Sequence, residues 1–271
     1  MKKLTHLRLY RFLLFCLIIA SLSACASMPG VTTVAFNNRQ VEYVLAGQGK
    51  PAVIFENGLG GQLHWWAQVL PAVAQQTTAF AYNRPGIGNS QEVITPRTGD
   101  QIIEELRSQL LALNLQPPYV LVGHSLGGLY MQLYARRYPQ EVAGLVLVDS
   151  THPEQFKGAG APENWPKMVQ IMMNASINSS AQNEFNEIDS TGQAILALPP
   201  FKSSNTIVLS AKKPMAETSV LAQDSNQKRV DILRLHPGAK QLWVDSGHSM
   251  PLEKPSAVIS AIEEILQINK K

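Results

Sequence analysis

Residues 119–133 read Tyr119-Val120-Leu121-Val122-Gly123-His124-Ser125-Leu126-Gly127-Gly128-Leu129-Tyr130-Met131-Gln132-Leu133. The β-branched run at 119–122 predicts a buried strand, and residues 126–138 predict a helix, with Gly123 to Gly127 forming the turn between them. A serine at the centre of such a Gly-x-Ser-x-Gly turn sits on strained backbone at the C-terminal edge of a sheet, and its flanking glycines let strand and helix approach closely. The helix that follows aims free N–H groups at developing negative charge. A serine that merely caps a helix is the plainer reading. The strand–turn–helix context favours Ser125 as a nucleophile.

A serine hydroxyl needs a base to take its proton. His248, in Asp245-Ser246-Gly247-His248-Ser249-Met250-Pro251, lies between the last predicted strand and the last predicted helix. That loop reaches the same sheet edge as Ser125, and the order Ser then His suits the architecture. His124 adjoins Ser125, but its side chain is expected to point elsewhere. His6 lies in the N-terminal leader, and His64, His152 and His236 read as structural or pocket-lining.

A third group should fix the imidazole tautomer. The strand at 206–210 is followed by Ala211-Lys212-Lys213-Pro214-Met215, with no acid. Asp149 ends the preceding strand, at the same edge, and is the favoured candidate; Glu217 and Asp224 remain the alternatives. Oxyanion donors are expected from the backbone N–H of Leu126 and from that of Leu59 in Asn57-Gly58-Leu59-Gly60-Gly61. This glycine-rich loop lacks the Lys-Ser/Thr ending of a phosphate-binding loop.

Strand-like segments at 32–36, 40–45, 52–55, 78–82, 142–148, 206–210 and 241–244 flank the one at 119–122. Helical patterns fall at 65–74, 100–113, 126–138, 216–235 and 256–268. The alternation predicts an α/β fold with a mostly parallel, eight-stranded sheet covered by helices on both faces. Between 151 and 205 the rhythm stops, with weaker helical signals at 167–175 and 182–198. This stretch is too long for a structureless loop and reads as a helical cap inserted between core parts 25–150 and 206–271. Its Met168, Ile171, Met172, Met173 and Leu196 suggest either an adaptable apolar pocket wall or the cap's own core.

The chain has 271 residues, 45% hydrophobic and 16% charged, an ordinary globular composition. Lys2, Lys3, Arg8 and Arg11 stand in the first 24 residues without an acid, so removing that leader takes the formal charge from +3 to −1. A near-neutral body has no electrostatic footprint for nucleic acid. The apolar run at 12–22 is short for a membrane span, and residues 1–24 have the layout of a secretory signal peptide; an uncleaved anchor helix is the alternative. Cys16 lies in that run, and Cys25 is the one other cysteine, so a processed chain forms no internal disulfide.

Leu22-Ser23-Ala24-Cys25 resembles the lipobox of bacterial lipoproteins, which implies a lipid on Cys25 and a membrane-tethered, exported protein. By the same resemblance, Ala26 implies the outer membrane, facing the periplasm. The ordered series Phe55-Glu56-Asn57-Gly58, Tyr82-Asn83-Arg84-Pro85-Gly86-Ile87-Gly88, Gly123 to Gly127, Leu147-Val148-Asp149 and Gly247-His248 resembles the α/β-hydrolase fold-1 superfamily over about residues 31–270. Asn57 and Asn83 stand where relatives often carry His and Asp. The missing acid after Ser210 is similar to branches that place it after the earlier strand. Relatives with an aspartate nucleophile are disfavoured by Ser125. The resemblance implies an esterase- or lipase-like serine hydrolase of small apolar ester-like substrates, needing no metal or nucleotide cofactor. Thioesterases, peptidases and perhydrolases share the fold, and a non-catalytic envelope lipoprotein is the rival from another class.

Overall fold

The computed structural model describes residues 28–36, 38–202, 204–213 and 219–269. Residues 1–24, read above as a leader, Cys25, read as the lipid-bearing residue, and the alternative acid Glu217 lie outside the described residues. Eight strands form one sheet: β1 (Thr32–Phe36), β2 (Arg39–Ala46), β3 (Ala52–Glu56), β4 (Ala79–Tyr82), β5 (Tyr119–His124), β6 (Val142–Val148), β7 (Thr206–Ala211) and β8 (Lys240–Val244). Their order is β1-β2-β4-β3-β5-β6-β7-β8. The β1/β2 and β2/β4 pairs are antiparallel and the other pairs parallel, which is the mostly parallel eight-stranded sheet expected from the sequence. Because β3 lies between β4 and β5, successive crossovers leave it in opposite directions and open a crevice at the strands' C-terminal ends.

The strand sequences are continuously apolar because both sheet faces are covered. Ile54, Leu121, Leu145 and Leu147 pack into one core, and the alternate residues Val53, Phe55, Val120, Val122 and Val146 into the other. This is period-two geometry with two buried faces, and each buried aliphatic side chain contributes roughly 1.5–3 kcal/mol. Helices α1 (Leu70–Ala74), α2 (Gly99–Ala112) and α3 (Leu126–Arg137) precede the cap. The cap holds α4 (Lys167–Ser176), α5 (Ser179–Asn186) and α6 (Ile188–Leu196), and the chain ends with α7 (Val220–Asp231), α8 (Met250–Glu253) and α9 (Pro255–Ile268). Ile102, Leu106, Leu129 and Leu133 of α2 and α3 cover one face, and Val73, Val258 and Ile262 of α1 and α9 the other.

Two helical expectations change in detail. The one at 65–74 becomes a 3-10 turn, Leu63–Trp66, followed by α1, whose first turn carries Pro71; proline lacks the N–H that would continue a helix through it. The one at 182–198 divides at Glu187 into α5 and α6, and Asn178 caps α5 by accepting from Ala181 N–H at 2.9 Å. The cap's aromatic cluster is Phe156, Trp165 and Phe185, with ring centroids 5.0–5.9 Å apart. Met168 and Ile171 are 50% and 61% exposed, so they are not part of the cap's core. Their spacing of three puts both on one helix face, and that face turns outward. Among the described residues no helix is long and apolar enough to cross a membrane.

Candidate active site

Ser125 stands between β5 and α3 with φ 53° and ψ −121°, a conformation that strains any residue with a Cβ. Bonds on both sides hold it there. Its N–H donates to Val148 O at 3.1 Å, and its carbonyl accepts from Gly128 N–H at 2.9 Å and Thr151 N–H at 3.0 Å. Close packing needs glycine at 127, where a Cβ would meet the carbonyl oxygens of Glu56 and Asn57 at 2.4 and 2.5 Å.

Three elements bring the polar groups together. His248, on the loop between β8 and α8, places Nε2 3.0 Å from Ser125 Oγ. Its Nδ1 is 2.6 Å from Oδ2 of Asp149, which follows β6. Beside a carboxylate Nδ1 carries the proton, which leaves the Nε2 lone pair facing the serine hydroxyl. The histidine loop is pinned by Gly247 N–H, which donates to Glu253 at 2.5 Å, and by Lys213 N–H, which donates to Ser246 O at 3.1 Å.

Asp149 is buried and holds φ 40°. It also accepts from Ala211 N–H at 3.0 Å and from Arg229, through Nε at 2.8 Å and Nη2 at 3.0 Å. Burial alone would raise its pKa. The hydrogen bonds from His248 and Arg229 outweigh burial and hold the carboxyl well below the usual range. Asp224 instead pairs with Lys228 at 2.7 Å.

The loop of Asn57 to Gly61 lies over the serine: a Cβ on Gly58 would be 3.2 Å from Ser125 Cβ and 3.2 Å from His124 Nδ1. Arg84 grips this loop, donating to Asn57 O at 2.7 Å and Gly58 O at 2.8 Å. Leu126 is the first residue of α3, where the geometry of a helix N-terminus leaves the N–H without an intrahelical acceptor.

His124 departs from expectation. Its ring does not turn away; it lies 4.9 Å from that of His248, with Trp65 stacked on it at 5.3 Å. Its Nε2–H donates to the His248 carbonyl at 2.8 Å. Burial, with the neighbouring His248, pushes the His124 pKa down to about 3, so the ring stays neutral. His152 pairs with Asp231 at 3.0 Å and His236 with Gln132 at 3.2 Å, both buried and structural.

The sequence profile described as alpha/beta hydrolase fold matches residues 51–255. The chain belongs to the alpha/beta hydrolase fold family. Similar proteins include "Uncharacterized protein YqjL" of Bacillus subtilis (strain 168), 34% identical over 103 residues, a stretch spanning 38% of this chain and 41% of that one. The (lyso)-N-acylphosphatidylethanolamine lipase of Mus musculus is 26% identical over 135 residues, spanning 46% of this chain and 38% of the lipase. Among solved structures, lip1 of Acinetobacter baumannii AYE superposes with a TM-score of 0.69 at 21% identity, covering 89% of this chain and 92% of that one. The chain thus spans about two fifths of the curated relatives' length.

Against this hydrolase frame, the two asparagines have local roles. Asn57 Nδ2 donates to Tyr82 O at 3.1 Å, and Asn83 accepts from Leu63 N–H at 2.6 Å while donating to Glu42 at 2.5 Å. Sequence reading missed Arg229, Arg84 and Glu184 as partners of the site. Arg84 lies in the motif of Tyr82 to Gly88, whereas Arg229 and Glu184 carry no local signal. Among the described residues no cluster of three or more His, Cys, Asp or Glu side chains converges as a metal site would.

Proposed function

We propose that the protein is a serine hydrolase of ester-type bonds in small apolar substrates, with Ser125 as nucleophile, His248 as base and Asp149 as the acid that orients it. The observation that carries this reading is the unbroken line from Ser125 Oγ to His248 to Asp149, with separations of 3.0 and 2.6 Å. Ser125 Oγ attacks the carbonyl carbon as its proton passes to His248 Nε2. The N–H groups of Leu126 and Leu59 hold the resulting oxyanion, the carbon–oxygen bond to the alcohol breaks, and Nε2 returns the proton to the departing oxygen. Water then repeats the cycle on the acyl-enzyme and frees the acid. A positioned base contributes about 10²–10⁴-fold and each oxyanion donor about 10²–10³-fold. A relative named as a lipase suits an ester in an apolar substrate.

The location we propose follows residues 1–26: export, acylation of Cys25, and attachment to the bacterial outer membrane facing the periplasm. Replacing Cys25 by serine is expected to leave an unprocessed precursor without lipid; a mature, lipid-free protein from wild-type cells would contradict the anchor.

The activity is tested with p-nitrophenyl esters from acetate to palmitate. Wild-type hydrolysis with a clear chain-length preference, lowered at least about 10³-fold in Ser125→Ala, is the expected result. A folded wild type inert on the whole panel, or a serine variant within tenfold of it, would contradict the reading.

A further inference from the structure

Arg84 is fully buried, and its five N–H donors each have an acceptor. Nε and Nη2 meet both oxygens of Glu184, each at 2.7 Å; Nη1 meets Glu56 at 2.6 Å and Asn57 O at 2.7 Å; Nη2 also meets Gly58 O at 2.8 Å. Glu56 belongs to β3 and also accepts from the Tyr82 hydroxyl at 2.5 Å. Glu184 belongs to cap helix α5 and is itself fully buried. One guanidinium therefore ties together the sheet, the loop over Ser125 and the cap.

The bond to Gly58 O has a directional consequence. In a trans peptide the C=O and the following N–H point opposite ways. By holding Gly58 O, the guanidinium fixes the direction of the Leu59 N–H, which points opposite to that carbonyl, and Gly61 N–H supports the same carbonyl at 3.1 Å. The plane of the guanidinium is fixed by its two-point contact with Glu184. Glu56 touches Nη1 alone and leaves rotation about that contact open. The two carboxylates outweigh burial and hold Arg84 firmly in its charged form.

We propose that Arg84 and Glu184 are positioning residues for the Leu59 oxyanion donor, so that the cap, through Glu184, sets the direction of a backbone N–H in the core. The proposal rests on the reading of Ser125 as an acyl-transfer nucleophile. With Glu184 replaced, Arg84 keeps its charge partner in Glu56 and its bonds to Asn57 O and Gly58 O, and loses the two-point contact that aligns its Nε–Nη2 edge. The transition state then loses stabilisation that the bound substrate never used, so the loss falls on kcat.

The test compares wild type with Glu184→Gln, Glu184→Asp and Arg84→Lys, using p-nitrophenyl butyrate and an alkyl trifluoromethyl ketone. The ketone accepts Ser125 Oγ at its carbonyl carbon, the serine proton passes to His248, and the hemiketal oxyanion occupies the donor site. Glutamine keeps the shape of Glu184 but sets an N–H₂ against Nη2; lysine keeps the charge of Arg84 but cannot hold Glu184 and Gly58 O together. In folded variants kcat is expected to fall about 10–100-fold, below the cost of removing a donor outright, with KM within about threefold. Ketone affinity should fall by the same factor as kcat/KM.

A kcat within twofold of wild type, or a raised KM with kcat unchanged, would overturn the proposal and leave the pair as a cap fastener. Failure of all three variants to fold would likewise make the pair purely structural. If wild type neither hydrolyses the ester nor binds the ketone, the fault lies with the Ser125 reading and not with Arg84.

Discussion

The guanidinium of Arg229 lies along the carboxylate of Asp149, with Nε 2.8 Å from Oδ1 and Nη2 3.0 Å from Oδ2, the oxygen that also meets His248 Nδ1. Four donors converge on two carboxylate oxygens once Ala211 N–H and His248 are counted. A carboxylate with about four lone-pair sites has no freedom left to rotate. Asp149 follows β6, and α7 carries the cation that braces it.

Replacing Arg229 by methionine is expected to lower kcat about tenfold, which is about 1.4 kcal/mol, with KM little changed and part of the loss recovered in Arg229→Lys. Acid stability should change as well. The folded Asp149 carboxyl titrates well below the usual range, whereas the unfolded one takes up a proton near pH 3.9. The unfolded chain therefore binds more protons in acid, and this contribution to stability, present above about pH 4, is lost as pH falls below it. Denaturant titrations at pH 3 and pH 6 should show a smaller difference in Arg229→Met than in wild type.

Asp149→Asn should lower kcat by about 10³–10⁴-fold, because an amide cannot hold the required His248 tautomer. Asp224→Asn, which breaks a pair with Lys228, should leave turnover near wild type. Steady-state kinetics on the two variants decides between them: a crippled Asp224 variant beside a nearly normal Asp149 variant would mean that the acid is misplaced.

His124 and His236 are both buried, and burial is the first cause that pushes each pKa down to about 3. Unfolded histidines take up a proton near pH 6.5. Between about pH 6.5 and 3 the unfolded state binds more protons, so stability should fall as pH drops through that window. Each residue adds a slope of up to about 1.4 kcal/mol per pH unit. His124→Phe keeps a flat ring beside Trp65 and should flatten the fall in thermal midpoint between pH 7 and 5. It should also lower kcat, since the bond to the His248 carbonyl is lost.

Much of this fold was legible because its signals are local. The apolar strands, the Gly123 to Gly127 turn and the segment around His248 each announce themselves within a few residues, and the direction of the sheet follows from strands alternating with helices. What escaped was long-range. Arg229 reaches back 80 residues to Asp149, and Glu184 reaches 100 residues to Arg84, both from helices whose sequences give no hint of a buried partner. The ring of His124 was misread for a similar reason: its neighbours Trp65 and His248 arrive from separate loops. Met168 and Ile171 stayed open between pocket wall and cap core because a helical apolar spacing does not say which way its face turns; their exposure excludes the core.

Gly127 allows a direct test of the packing. A methyl group there would sit 2.4 Å from Glu56 O and 2.5 Å from Asn57 O, both backbone atoms that cannot step aside. Gly127→Ala should destabilise the fold by about 3 kcal/mol or more, seen as a lowered midpoint in urea. An unchanged midpoint would mean that α3 does not seat on β3 so closely.

The central claim, that Ser125 is an activated nucleophile, is tested most directly by fluorophosphonate labelling followed by peptide mass spectrometry. The account predicts a phosphonyl adduct on the peptide carrying Ser125 in wild type, none in Ser125→Ala, and much slower labelling in His248→Ala, because the adduct forms only as His248 removes the serine proton. A folded wild-type protein that takes no label, or an adduct on another serine that persists undiminished in Ser125→Ala, would contradict it.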